Sequence, residues 1–238
     1  MPVRDALIQI SAGLSMMART WGCNVYIVGE GRPSLIDAGF PLDTRSIGRM
    51  LRSRDPAGPE CLVATHYHLD HMGSMARLKK EFSCPVFAHE DDADIMEGNE
   101  PYPTFKLDPL RAAYYKMLGP LYPYENVKVD RRLTDGDVID LLGGLRVIHT
   151  PGHTAGSMML FQPDRRMLFT SDTIRNEKGV LDGPPPQYTP DLEAAFNSIE
   201  EKVMALDFDI LLPGHGDVIL SGGREAVGRM LQERRVAR

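Results

Sequence analysis

Three imidazoles and a carboxylate fall within one short run, His66-Tyr67-His68-Leu69-Asp70-His71. In extended chain, residues i and i+2 project the same way, so His66 and His68 can grip one ion together. The chain must turn just beyond, which lets Asp70 and His71 address a second ion. Imidazole mixed with carboxylate suits zinc, and also iron, manganese or cobalt. The whole chain holds only 7 histidines, so this cluster is no by-product of a His-rich composition. Three further segments each offer one donor: Thr150-Pro151-Gly152-His153-Thr154, Ser171-Asp172-Thr173 and Pro213-Gly214-His215-Gly216. Two divalent ions about 3.5–4 Å apart can share a water and lower its pKa to about 7, which supplies hydroxide at neutral pH. The chemistry expected is hydrolysis by a hydroxide bridging two metals.

The elements that would position these donors can be read from the pattern. Apolar strand-like runs precede each donor: Cys61–Thr65 before His66, Leu145–His149 before His153, Met167–Thr170 before Asp172 and Phe208–Leu212 before His215. Strand ends give a ligand rigid backbone behind it and loop freedom in front. Gly152, Gly214 and Gly216 are expected to let the chain bend beside the metals. Further strands are expected at Ala6–Ile10, Asn24–Gly29, Ser34–Asp37, Pro85–Ala88, Val127–Val129, Val138–Leu142 and Ser157–Phe161, the last pairing with Met167–Thr170 as a hairpin. Helices are expected at Pro41–Arg52, Gly73–Phe82, Asp191–Ala205 and Gly223–Arg234. Between the motif and His153 lies a different texture, about 91–126, with Tyr102, Phe105, Tyr114, Tyr115, Tyr122 and Tyr124. It reads as a helical insertion around Asp108–Leu118. Ser11–Gly22, with Leu14, Met16, Met17 and Trp21, reads as a loop, either packed into the core or an apolar flap over the metals. His149 reads as a core or supporting residue, and His89, beside Glu90, Asp91 and Asp92, as no ligand.

The order Asp37-Ala38-Gly39, H-x-H-x-D-H, His153, Asp172, His215 resembles the metallo-β-lactamase superfamily over nearly the whole chain. The resemblance implies an α/β fold, a four-layer αββα sandwich forming a single domain over 1–238, with the Tyr-rich helical insertion added. It implies that His66, His68 and His153 hold one metal, that Asp70, His71 and His215 hold the other, and that Asp172 bridges both. Asp37 would support the ligands without touching a metal. Two Zn2+ are the expected cofactors, with iron or manganese as alternatives. The reaction expected is cleavage of a carboxylic ester, lactone or thioester, in the glyoxalase II-like or lactonase-like branch. The alternatives are a phosphodiesterase on the same site and a mononuclear-iron persulfide dioxygenase.

Details of the sequence narrow the branch. Asp172 is followed by Thr173-Ile174-Arg175-Asn176-Glu177, not by the basic, Cys-bearing segment of a glyoxalase II. Arg175 stands where lactonases of the superfamily commonly carry a Tyr; it is expected to bind a substrate anion and so to join Asp70, whose family position implies that it accepts a proton from the attacking water, among the catalytic residues. A dimetal centre with two carboxylate ligands keeps net positive charge, which favours a small-molecule substrate with an anionic group.

Composition excludes other classes. The net charge is -6, with no dense Lys/Arg cluster of the kind nucleic acid requires. No uncharged apolar run reaches the roughly 18 residues of a membrane span. No nucleic-acid or membrane partner is expected; a homodimer is left open. Cys23, Cys61 and Cys84 are odd in number and far apart, which reads as reduced thiols in a cytoplasmic protein, and Met1–Ile10 shows no signal-peptide pattern.

Overall fold

The structure, a computed structural model, describes residues 7–17, 20–105, 108–119, 122 and 125–236. Ala6, Tyr124 and the side chains of Tyr114 and Tyr115, all part of the expectations above, lie outside what is described. The chain divides into two compact units, Met1–Arg132 and Leu133–Arg238.

The first unit is built on a sheet whose strands lie in chain order: β1 (Leu7–Ser11), β2 (Leu14–Met17), β3 (Tyr26–Val28), β4 (Ser34–Ile36), β5 (Leu62–Val63), β6 (Val86–His89) and β7 (Arg131–Leu133), the last ending just past the boundary. β1 to β4 pair antiparallel and β4, β5 and β6 parallel. The parallel part needs crossovers, and helices supply them: α1 (Thr44–Arg54) between β4 and β5, then α2 (Leu69–Met72) and α3 (Met75–Phe82) between β5 and β6. α1 buries Ile47, Met50 and Leu51, and α3 buries Met75 and Leu78. These side chains join Val25, Ile27, Leu35, Leu62 and Val86 in one core.

Two expectations in this unit are corrected. Leu14–Met17 is a fully buried strand, so Leu14, Met16 and Met17 are core and not flap; Trp21 alone of that group is 79% exposed. Val127 and Val129 are buried but form no strand, because Val127 N donates to Met96 O (2.8 Å) and Val129 N to Glu97 Oε1 (3.0 Å). The last strand of the sheet falls on Arg131–Leu133 instead. Glu90–Glu97 is a helix, α4, whose Ala93, Ile95 and Met96 belong to the core. Its acidic first turn suits the positive end of the helix dipole, and Gly98 (φ 78°) closes it. The Tyr-rich segment then continues to α5 (Pro109–Leu118).

The second unit holds a sheet ordered β14-β11-β10-β9-β8: β8 (Val138–Ile139), β9 (Leu145–His149), β10 (Met158–Gln162), β11 (Met167–Ser171) and β14 (Ile210–Pro213). Neighbours are antiparallel except β11 and β14, which are joined through α6 (Leu192–Ser198) and a π-helical turn, Ile199–Val203. The hairpin β12 (Arg175–Glu177)/β13 (Val180–Asp182) stands apart. Phe196, Ile199, Val203 and, from α7 (Gly223–Val236), Val227 and Leu231 pack with Met159, Leu168 and Leu211 in a second core. No described helix is long and apolar enough to cross a membrane.

Candidate metal centre

β5 ends just before Thr65, and His66, Tyr67 and His68 follow as a loop capped by α2. His66 and His68 are buried, with ring centroids 4.6 Å apart; His66 and His71 lie 4.1 Å apart. The loop is pinned at its centre: Tyr67 N donates to the buried Asp92 Oδ2 (3.1 Å). Asp70, one-third exposed, brings Oδ2 to 3.9 Å from His71 Nε2.

Asp37 organises these rings. It stands directly after β4 with φ +60°, and its buried carboxylate accepts from Thr65 N (2.8 Å), Thr65 Oγ1 (2.8 Å) and His71 Nδ1 (2.8 Å). Because the Thr65 hydroxyl proton goes to Asp37, Thr65 Oγ1 is left to accept from His66 Nδ1 (3.2 Å). Both rings are therefore set with Nδ1 protonated and the Nε2 lone pair presented, the tautomer that a metal-ligating imidazole needs. Cys23 Sγ lies within 4.8 Å of the Asp37 and His71 donor atoms. Burial, partly offset by His71, pushes its thiol up to about 12, so it is a protonated neighbour at neutral pH.

In the second unit His153 follows β9 through a turn that only glycine allows. Gly152 has φ +132°, and a Cβ there would run into Ala195 N and Asp191 O. Thr189 Oγ1 donates to Pro185 O (2.8 Å), so it accepts from His153 Nδ1 (2.9 Å) and again leaves Nε2 as the lone-pair nitrogen. That Nε2 is 3.5 Å from Asp172 Oδ2, and His215 Nε2 is 3.3 Å from Asp172 Oδ1. An imidazole lone pair facing a carboxylate oxygen is repulsive unless a cation stands between. Two ligand atoms each about 2.0–2.1 Å from a tetrahedral ion are about 3.3–3.4 Å apart. Donor chemistry and spacing both fit a divalent metal.

His215 is held by residues that sequence reasoning missed. Asn176 N donates to His215 O (3.1 Å), and buried Asn176 Nδ2 donates to Asp217 O (2.8 Å). Gly216 (φ +86°) packs on Asn176 O, where a Cβ would overlap. Thr189, Asp92 and Asn176 carry no sequence signal, because each acts through a partner distant in the chain, and Thr65, though next to His66, draws its role from the remote Asp37. His149 is half-buried; its Nε2 pairs with Ala155 O (2.8 Å) and so braces the His153 loop. His89 caps α4, its side chain accepting from Asp91 N (3.3 Å). Arg175, expected on a loop, lies in β12. Its Nε donates to Gly183 O (3.0 Å) and its Nη1 pairs with Glu177, so the guanidinium latches its own hairpin.

A model of the metallo-beta-lactamase superfamily matches residues 18–215, and the chain belongs to that superfamily. A probable metallo-hydrolase of Bacillus subtilis, YflN, is 32% identical over 198 residues, covering 76% of this chain and 74% of that one. The acyl-coenzyme A thioesterase MBLAC2 of Gallus gallus is 31% identical over 209 residues, covering 81% of this chain and 72% of that one. Among solved structures, TTHA1623 in a di-iron-bound form is 26% identical with a TM-score of 0.64, covering 87% of this chain and 93% of that one. The α/β fold of the metallo-β-lactamase type expected from the sequence is borne out, and the relatives' names set the chain among metallo-hydrolases.

Proposed function

We propose that the protein is a metal-dependent hydrolase that cleaves a carboxylic ester, lactone or thioester, with thioesters the first class to test. The observation that carries the reading is the pair of imidazole Nε2 atoms, of His153 and His215, set 3.5 and 3.3 Å from the two oxygens of Asp172. The thioesterase MBLAC2, similar over 81% of this chain, favours the thioester among acyl substrates.

In this reading His66, His68 and His153 hold one divalent ion, Asp70, His71 and His215 hold a second, and Asp172 serves both. Zinc is the metal proposed; the di-iron form of TTHA1623 makes iron the first alternative. Such ions, when bound, acidify water and polarise the acyl carbonyl. Asp37 and Thr65 keep His66 and His71 in the ligating tautomer, and Thr189 does so for His153. Asp70, the partly exposed carboxylate of the set, takes the proton of the attacking water. Water adds its oxygen to the acyl carbon, the C–S or C–O bond breaks, and the leaving thiol or alcohol departs with a proton. Arg175 is proposed to meet an anionic group of the substrate, which requires it to exchange Glu177 for that group.

The test combines elemental analysis with a substrate panel on zinc-loaded protein: an acyl-coenzyme A thioester, a p-nitrophenyl ester, a lactone and bis(p-nitrophenyl) phosphate. Two metals per chain and turnover confined to the acyl substrates are expected. Turnover of the phosphodiester alone would overturn the acyl assignment, and a single iron per chain would overturn the dinuclear one. Arg175→Ala should raise KM about tenfold for an anionic thioester and much less for a neutral ester. Equal effects on both would remove Arg175 from the substrate site.

A further inference from the structure

We propose that Asp92 is a positioning residue for the first metal: through the Tyr67 amide it sets how His66 stands relative to His68, so that losing it weakens one ion and spares the other. The inference rests on the ligand assignment proposed above. It concerns how tightly a metal is held, not which bond is cleaved.

Tyr67 N–H belongs to the planar peptide that joins His66 to Tyr67. Its bond to Asp92 Oδ2 (3.1 Å) therefore fixes ψ of His66 and φ of Tyr67. The loop is anchored on both sides of this plane. Before it, Asp37 Oδ1 accepts from Thr65 N (2.8 Å). After it, His68 O accepts from His71 N (2.9 Å) and Met72 N (3.0 Å), which seats His68 on α2. The Asp92 bond lies between these anchors, in the stretch that separates two rings whose centroids are 4.6 Å apart. Two carboxylates from remote parts of the chain thus hold alternate amides of the loop, Asp37 at Thr65 and Asp92 at Tyr67.

Such an acceptor directs the loop only if it is fixed itself. α4 packs Ala93, Ile95 and Met96 into the core of the first unit, and His89 caps its start. Its other end is held as well. Glu97 Oε1 accepts from Val129 N (3.0 Å), and Arg132 Nη2 donates to Asp94 Oδ1 (2.7 Å) and Glu97 Oε2 (2.8 Å). Asp92 is 0% exposed, so water does not stand in for it at the amide. A buried N–H stripped of its acceptor costs free energy until the backbone turns to find another. Turning that plane swings His66 relative to His68. The flanking rings, Tyr102 edge-on to Tyr67 at 5.5 Å and Phe105 edge-on to His68 at 5.2 Å, add packing without that direction. His71 is placed by other means: Asp37 holds its Nδ1 (2.8 Å) and α2 carries its backbone. The effect of Asp92 is therefore confined to the ion assigned to His66 and His68.

The experiment titrates zinc into the metal-free full chain, native and with Asp92→Ala, Asp92→Asn or Asp92→Glu, and follows each imidazole by side-chain NMR, which the 7 histidines keep tractable. In Asp92→Ala the His66 and His68 signals should need about 10–100-fold more free zinc than in native protein, and the His71 signal less than about threefold more. Asp92→Asn keeps an acceptor oxygen at the same reach and should recover most of the affinity. Asp92→Glu keeps the charge but displaces the oxygens by a methylene, and should not. If Asp92→Ala fails to fold, the contrast between Asn and Glu makes the same comparison. Equal weakening at His66, His68 and His71 in the folded variants would reduce Asp92 to general stability and overturn its positioning role. So would native zinc affinity in Asp92→Ala. Native His66 and His68 signals indifferent to zinc would overturn the ligand assignment and this role with it. Selective weakening in a protein that hydrolyses no acyl substrate would support the role of Asp92 and overturn only the reaction.

Discussion

Replacing Asp37 should cost both stability and metal affinity, and the structure sets the size of each. Its carboxylate satisfies two buried donors, Thr65 N–H and His71 Nδ1–H, and takes the Thr65 hydroxyl proton as well. Leaving a buried donor unmet costs about 1–3 kcal/mol, and bonds to a charged acceptor lie at the upper end. Asp37 also holds φ +60°, a region that Asp tolerates and Ala does not, for about 1 kcal/mol more. Asp37→Ala should therefore destabilise the protein by about 4–6 kcal/mol, or roughly 10–20 °C in Tm for a chain of this size. Asp37→Asn keeps the left-handed backbone and one acceptor oxygen, so about 1–3 kcal/mol is expected, with the shortfall at His71. Freed from Asp37, the His71 and His66 rings can take the other tautomer, and zinc affinity should fall about 10–100-fold in both variants. Calorimetry reads the first effect and competition with a chromogenic chelator the second. An Asp37→Ala protein within about 1 kcal/mol of native, with native zinc affinity, would refute the claim that this carboxylate organises the ligands.

Two other predictions follow from local geometry. Gly152→Ala and Gly216→Ala should each destabilise by about 2–4 kcal/mol or more, since each adds a left-handed Cβ that collides with backbone, whereas Gly136→Ala, at φ +86° with open space around it, should cost only about 1 kcal/mol; equal losses at all three, read by denaturant unfolding, would show that the collisions do not matter. Burial holds the Cys84 thiol near a pKa of about 11 and also raises that of Cys61, so both stay protonated until the pH approaches those raised values. At pH 7 a pKa of about 11 leaves roughly one thiolate in ten thousand, so native protein should react with a disulfide reagent orders of magnitude more slowly than unfolded protein. Rapid labelling of Cys84 in the folded chain would contradict its burial.

The donors were legible because each sits in a local pattern: a strand, a turn residue, then His or Asp. The same holds for β9, placed at Leu145–His149 by its apolar alternation and found there. Expectation failed where the deciding partner is remote. Leu14–Met17 lacks β-branched residues and reads as loop, yet it pairs with β1 and β3 and is buried throughout. Val127 and Val129 look like strand because they are apolar, but their amides are taken by the end of α4, and the ladder moves to the charged Arg131–Leu133. The start of the expected helical insertion is a helix, Glu90–Glu97, but its Ala93, Ile95 and Met96 belong to the core of the first unit, which its acidic sequence does not announce. In the candidate site the ligand types could be read, whereas the groups that fix their tautomers could not. A threonine announces nothing until its hydroxyl proton is known to be spent elsewhere.

That last point bears on how the site is assembled. In each unit a non-glycine residue at a strand end holds a left-handed conformation, Asp37 at φ +60° and Ser171 at φ +50°, next to the donors. Such a residue costs about 1–2 kcal/mol and persists only where its surroundings over-determine it. Asp37 N is held by Val63 O (2.8 Å) and Ala38 N by His71 O (2.6 Å), so relaxing the strain would break the strand end and drag His71 away. Ser171 O accepts from Gly214 N (2.8 Å), which couples the residue before Asp172 to the residue before His215. These bonds use no metal: Asp37–Thr65–His66 with His71 in the first unit, and Thr189–His153 in the second. The His66, His71 and His153 rings are thus committed to their ligating tautomers by neighbouring side chains of the fold. Where a small zinc domain draws its folding energy from the ion, this chain spends folding energy in advance to present lone pairs, so metal binding should tighten side chains and leave the two cores as they are.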